Sequence, residues 1–116
     1  MNKILEAMKK MASKPDNITS VTKSNDNEIF FMYNNKYCWG MLRNKRGDQL
    51  TLYYYPYGDP SDLIHVSDWE DVEMRSYSEN DFTEPEANSI FEALYAVLDG
   101  KLYDLDSVLN EILDDF

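Results

Sequence analysis

Three aromatic-rich runs, "EIFFMY" (28–33), "YCWGML" (37–42) and "QLTLYYY" (49–55), follow one another with only a few residues between them. Runs of this length and composition read as strands. Connections this short can join only antiparallel neighbours, because parallel pairing needs a crossover of a dozen or more residues. Asn34–Asn35 tolerate the left-handed backbone of a tight hairpin turn, and "NKRGD" offers a second turn with Gly47 able to take positive φ. Ile18–Thr22 permits a first strand, Leu63–Val66 a short one, and "DVEMRSY" (71–77) another. The expectation is an antiparallel meander of four or five strands.

Helices flank it. Ile4, Leu5, Met8 and Met11 recur at helical spacing within 2–12, and Pro15 breaks that helix. Near the other end, Thr83 with Pro85 and Glu86 predicts a capped helix start, and Ile90, Phe91, Leu94, Val97 and Leu98 form the apolar stripe of a helix over 84–99 that Gly100 stops. A last helix, with Asp104 or Asp106 near its start, carries Leu105, Val108, Leu109, Ile112, Leu113 and Phe116 at a clean helical period, which predicts a docked face. The fold class is therefore α+β: a sheet packed by an N-terminal helix and two C-terminal helices, in one domain over 1–116.

Alternation divides the tyrosine strand. Leu50, Leu52 and Tyr54 face one way, beneath the helices, and Thr51, Tyr53 and Tyr55 the other. With a two-residue turn at Asn34–Asn35, Phe30 and Met32 share a face with Tyr37, Trp39 and Met41, while Ile29 and Phe31 accompany Cys38; a slip of one residue swaps the sets. Both faces are more apolar than a sheet with one solvated side requires, so either helices cover both or one displays aromatics to a partner. Tyr57, on a Pro/Gly turn, is expected in solvent, with Tyr53 and Tyr55 as further contact residues.

Charge is distributed as unevenly as the helices. The chain carries −11 overall, but residues 1–46 hold +5 and residues 47–116 hold −16. Phosphates would be repelled by so acidic a chain, which argues against direct binding of nucleic acid and for a basic protein surface as partner. No apolar run spans a bilayer, the N-terminus lacks the h-region of a secretory signal, and Cys38 stands alone; the expected setting is cytoplasmic, off the membrane.

Catalytic residues are sparse. His65 is the single histidine, with Asp62 or Asp68 in range to orient it only if loops assemble the rest of a site. Cys38 sits mid-strand among aromatics and reads as a small buried hydrophobe. No glycine loop cradles phosphate. "DGKLYDLD" and "DLDSVLNE" lack the ligand alternation of a calcium loop. The reading is a non-enzymatic chain without cofactor or metal.

The acidic segment is what remains: Asp68, Glu70, Asp71, Glu73, Glu79, Asp81, Glu84 and Glu86, with Arg75 as the basic residue among them. Such acids suit a solvated strand edge and a helix N-terminus. They also suit electrostatic docking, with Trp69 as an aromatic anchor beside Tyr53, Tyr55 and Tyr57. In composition alone, and through no motif, the chain looks like inhibitors that mimic nucleic acid and occupy the basic grooves of nucleic-acid or defence enzymes. An immunity or antitoxin-like protein that neutralises a basic toxin is the second reading. A small hydrolytic enzyme using carboxylates is the third.

Overall fold

The computed structural model describes residues 2–45 and 49–114, with backbone alone for 105–107. Helix α1 (Lys3–Ser13) leads into strands β1 (Ile18–Lys23), β2 (Ile29–Tyr33), β3 (Tyr37–Arg43) and β4 (Leu50–Tyr55). A one-turn helix α2 (Pro60–Leu63), strand β5 (Arg75–Ser78) and helices α3 (Ala87–Tyr103) and α4 (Leu105–Asp114) complete the chain. The strands form one antiparallel sheet in sequence order, so the fold is α+β and the sheet is a five-stranded meander. Among the described residues no helix is long and apolar enough to cross a membrane.

Local chemistry explains most element boundaries. Asn2 caps α1 by accepting the Ile4 N–H at 2.8 Å, and Leu5, Met8 and Met11 form its buried stripe. β1 carries a bulge between Thr19 and Thr22, where Ser20 takes a φ of 56°. Leu63–Val66 is not a strand: Asp59 accepts the Ser61 N–H at 2.9 Å and, with Pro60 at the first position, starts α2 instead. The Gly47 turn lies outside the described residues.

The β2–β3 turn corrects the expected faces. Tyr33 pairs with Tyr37, leaving three residues in the turn, and Asn34 and Asn35 take φ values of 58° and 54°. That extra residue puts Ile29, Phe31 and Tyr33, rather than Phe30 and Met32, on the face of Trp39 and Met41. Ile29, Phe31, Met41, Leu50 and Leu52 then pack beneath α1 and against Ile90, Phe91, Leu94 and Leu98 of α3. On the opposite face Phe30, Cys38 and Tyr55 pack with Leu63, and Trp69, Val72 and Met74 lie over them.

The C-terminal third departs furthest from expectation. Thr83 and Glu86 do not cap α3: Glu86 occupies the N-cap with helical backbone and no side-chain bond. The capping box belongs to Ser78 and Asp81, which open a 3-10 turn at Glu79–Asp81 directly after β5. Gly100 does not stop the helix, since one glycine costs only about 1 kcal/mol in a helix interior. α3 runs on to Tyr103 and ends at Asp104, in left-handed conformation with φ 46° and ψ 47°. α4 begins at the next residue and is undocked: Val108, Leu109, Ile112 and Leu113 are all exposed. The core of the helix face is covered by α1 and α3, which pack on each other. Leu105, Asp106 and Phe116 lie outside the residues whose side chains are described.

Candidate functional site

β5 is an edge strand, paired with β4 on one side alone. The eight candidate carboxylates bracket it in sequence: Asp68, Glu70, Asp71 and Glu73 precede it, and Glu79, Asp81, Glu84 and Glu86 follow. The strand itself spans about 13 Å, at roughly 3.3 Å per residue. The first group belongs to the segment whose Trp69, Val72 and Met74 cover the second face of the sheet, and the second group to the segment that joins β5 to α3.

Their side chains divide by what they already do. Asp68 caps the Trp69–Asp71 turn by accepting the Glu70 N–H at 3.1 Å. Glu79 accepts from the Leu50 N–H at 3.2 Å and from Asn88 Nδ2 at 2.9 Å, tying the strand edge to the start of α3. Asp81 accepts the Ser78 N–H at 2.8 Å. Glu84 is half-buried; its Oε1 faces Thr83 Oγ1 at 3.4 Å and its buried Oε2 meets no partner among the described residues. Glu86 is half-buried, and its carbonyl accepts from Ile90 N–H and Ser89 Oγ. Glu70, Asp71 and Glu73 are exposed and hold no described hydrogen bond through their carboxylates. The ion pair found among the described residues lies elsewhere: Arg43 makes two bonds of 3.1 and 2.7 Å to Glu92, which raise the Arg43 pKa, and its guanidinium lies over the Tyr95 ring.

The aromatic candidates sort differently from expectation. Tyr57 is 87% exposed, as its turn predicts. Tyr55 does not reach solvent; it is buried, because α2 and the Trp69 turn cover the face to which alternation assigns it. Trp69 is half-buried rather than displayed, stacked on Phe30 at 6.2 Å and tilted against Tyr55 at 6.1 Å. Tyr53 is half-buried and stacked on Tyr55 at 6.2 Å. Tyr54 stands on the leucine face but at its margin, half-buried beside Trp39 at 4.8 Å. Trp39 Nε1 is buried without an acceptor among the described residues.

Sequence reasoning passed over Glu28. It is buried beneath the second face and accepts a hydrogen bond from the Tyr55 hydroxyl. Burial raises its pKa to about 7, against the lowering effect of the Tyr55 bond, and Asp26 adds a further rise. The Tyr55 phenol is held well above its ordinary range, by burial first and then by Glu28. Gly40 makes the room: a Cβ there would collide with the Glu28 carboxylate and come within 3.0 Å of Tyr55 Cε2. One signal was available, since Glu28 has the same strand parity as Phe30 and Met32.

The remaining candidates do not assemble. His65 is exposed, and its described bond to Asp62 is through the backbone. Cys38 is buried, and burial, with Asp59 and Glu28 nearby, pushes its thiol up to about 12, far from a reactive thiolate. No group of three or more potential metal ligands occurs among the described residues. Compared with known proteins, the chain matches no family model, no curated protein and no solved structure.

Proposed function

We propose that the chain is a non-enzymatic protein-binding protein that docks through the acidic edge around β5 onto a basic protein surface. The observation that supports this most is the exposed trio Glu70, Asp71 and Glu73, which lies in the segment before an unpaired sheet edge and is spent on no described internal bond. Carboxylates recruited to caps, as Asp68 and Asp81 are, or to a tie between elements, as Glu79 is, serve the fold. Carboxylates left in solvent on one side repel each other unless a cation arrives. Tyr57 offers aromatic contact area with little to lose from the fold. A groove that ordinarily holds nucleic acid is one basic surface of this kind, and a basic toxin is another. Docking of this sort steers association and weakens with salt, because the screening length falls from about 10 Å at 0.1 M to about 3 Å at 1 M.

The test is capture of partners with the native chain and with Glu70→Lys/Asp71→Lys/Glu73→Lys at low and high salt. A partner with a basic surface, lost in the variant and at high salt while the fold melts unchanged, is the expected result. Partners retained equally by both proteins, or binding that is flat with salt, would overturn the reading.

A further inference from the structure

A groove opens on the helix side of the sheet, beyond the packed core. It has a volume of about 350 Å³ and is lined by Ala7, Lys10 and Met11 of α1 and by Tyr33, Tyr37, Trp39 and Tyr54. Pockets for whole ligands run from roughly 300 to 1,000 Å³, so this one is of a size for a few side chains. Its walls are aromatic and its rim is cationic. Lys10 borders it, and the Lys36 ammonium lies 5.2 Å from the Tyr37 ring centre.

α4 has the complementary chemistry. Val108, Leu109, Ile112 and Leu113 form an apolar stripe that meets solvent. The segment 104–115 carries Asp104, Asp106, Glu111, Asp114 and Asp115 and no lysine or arginine. An apolar stripe on an acidic helix fits an apolar groove with a basic rim, in the mode by which helices bind grooves.

Among the described residues, none of α4 lines the groove of its own chain. At 3.6 residues per turn, Ala7, Lys10 and Met11 lie on one flank of α1 and Lys9, Ala12 and Ser13 on the opposite flank. The second flank borders Ser89, Ile90 and Ala93 of α3. α4 joins α3 through the single residue Asp104, which borders a hollow with Pro15 and Asp16 just past the C-terminal end of α1.

We infer that α4 of one molecule docks its apolar stripe in the aromatic groove of a second copy, and that the exchange is reciprocal. Two equivalent contacts about a twofold axis double the buried area and close the assembly. Ile112 and Leu113 enter among Tyr37, Trp39 and Tyr54, and Glu111 and Asp114 face Lys10 and Lys36. No residue of the acidic segment 68–86 lines this groove, and the inference does not depend on the function proposed above.

Light scattering coupled to gel filtration over a concentration series tests it. The native chain should approach twice its 13.6 kDa mass as concentration rises. Leu109→Asp/Ile112→Asp changes residues outside the core and should keep the circular dichroism spectrum and melting of the monomer. It should raise the dimer dissociation constant by at least about thirtyfold, as loss of an interface hot spot does. Ala7→Phe, which fills the groove from an exposed position, should do the same. Lys10→Glu should weaken the dimer, and Lys10→Glu with Glu111→Lys should restore it. A monomer at every concentration, including one whose α4 folds back on itself or serves another partner, would overturn the inference. So would a dimer that survives both Leu109→Asp/Ile112→Asp and Ala7→Phe.

Discussion

The two faces of the sheet are closed by different means. On one, α1 and α3 lay regular apolar stripes over Ile29, Phe31, Met41, Leu50 and Leu52, and hydrocarbon meets hydrocarbon. On the other, a one-turn helix and a 3-10 turn place Leu63 and Trp69 over Phe30, Cys38 and Tyr55, with a carboxyl and a phenol enclosed. Over these five residues the first face needs only shape, although its margin encloses the Trp39 Nε1. The second also needs its polar atoms matched, because a buried donor or acceptor without a partner costs about 1–3 kcal/mol. An irregular cover thus suffices to bury a face, but it couples that face to protonation.

The largest test asks whether the second face is core to the same degree as the first. Phe91→Ala beneath α3 and Tyr55→Ala beneath the Trp69 turn should each cost about 3–5 kcal/mol in chemical denaturation, the range for large aromatics in cores. A Tyr55→Ala cost near that of a surface change would break the equivalence and make the cover a loose flap.

A smaller effect separates the faces by pH. The native Glu28 pKa, about 7, lies above the ordinary value of 4.5, so the native state holds the proton more tightly than the unfolded chain. Its contribution is therefore full below about pH 4.5 and is lost as pH rises through 7. The whole change amounts to about 3 kcal/mol, at 1.36 kcal/mol per pKa unit. Glu28→Gln keeps a neutral hydrogen-bonding side chain and should remove this dependence, so that the variant gains on the native protein between pH 5 and 8. Parallel stability curves for the two proteins across that window would show that Glu28 is solvated.

The smallest effects belong to residues that touch neither face. Tyr57→Ala should leave stability within about 0.5 kcal/mol, as surface changes do. Leu109→Ala should behave alike at concentrations where the chain is monomeric, in place of the 2–5 kcal/mol of a docked leucine. Thermal and urea denaturation of both variants would check this, and a large loss for Leu109→Ala in the monomer would mean that α4 is part of the core.

Most of the architecture was legible in the residues, because short connections dictate antiparallel order and two periods distinguish strand from helix. The faces of β2 against β3 were not, since they turn on whether Asn34 and Asn35 or three residues make the bend. Tyr55 and Trp69 looked displayed because alternation says which way a side chain points and not what lies above it. α4 has the cleanest helical period in the chain, and its Val108, Leu109, Ile112 and Leu113 are still exposed, since amphipathicity records a face that can be buried without naming what buries it. The acids around β5 were legible as a group. Their division into caps and solvent-facing charges required hydrogen-bond geometry, although Ser78 with Asp81 three residues later was a readable capping signal.

Gly40 and Glu28 share one space, and that has a consequence for descent. A side chain at 40 is tolerated only if 28 shrinks, and a shorter residue at 28 strands the Tyr55 hydroxyl unless a neighbour or a water takes over. The two positions, twelve residues apart, should therefore drift as a linked pair, with substitutions at 40 harmful alone and rescued by change at 28. Pairwise mutational scanning for folded protein would record this as strong epistasis between 28 and 40, with Gly40→Ala less destabilising in a Glu28→Ala background than in the native one.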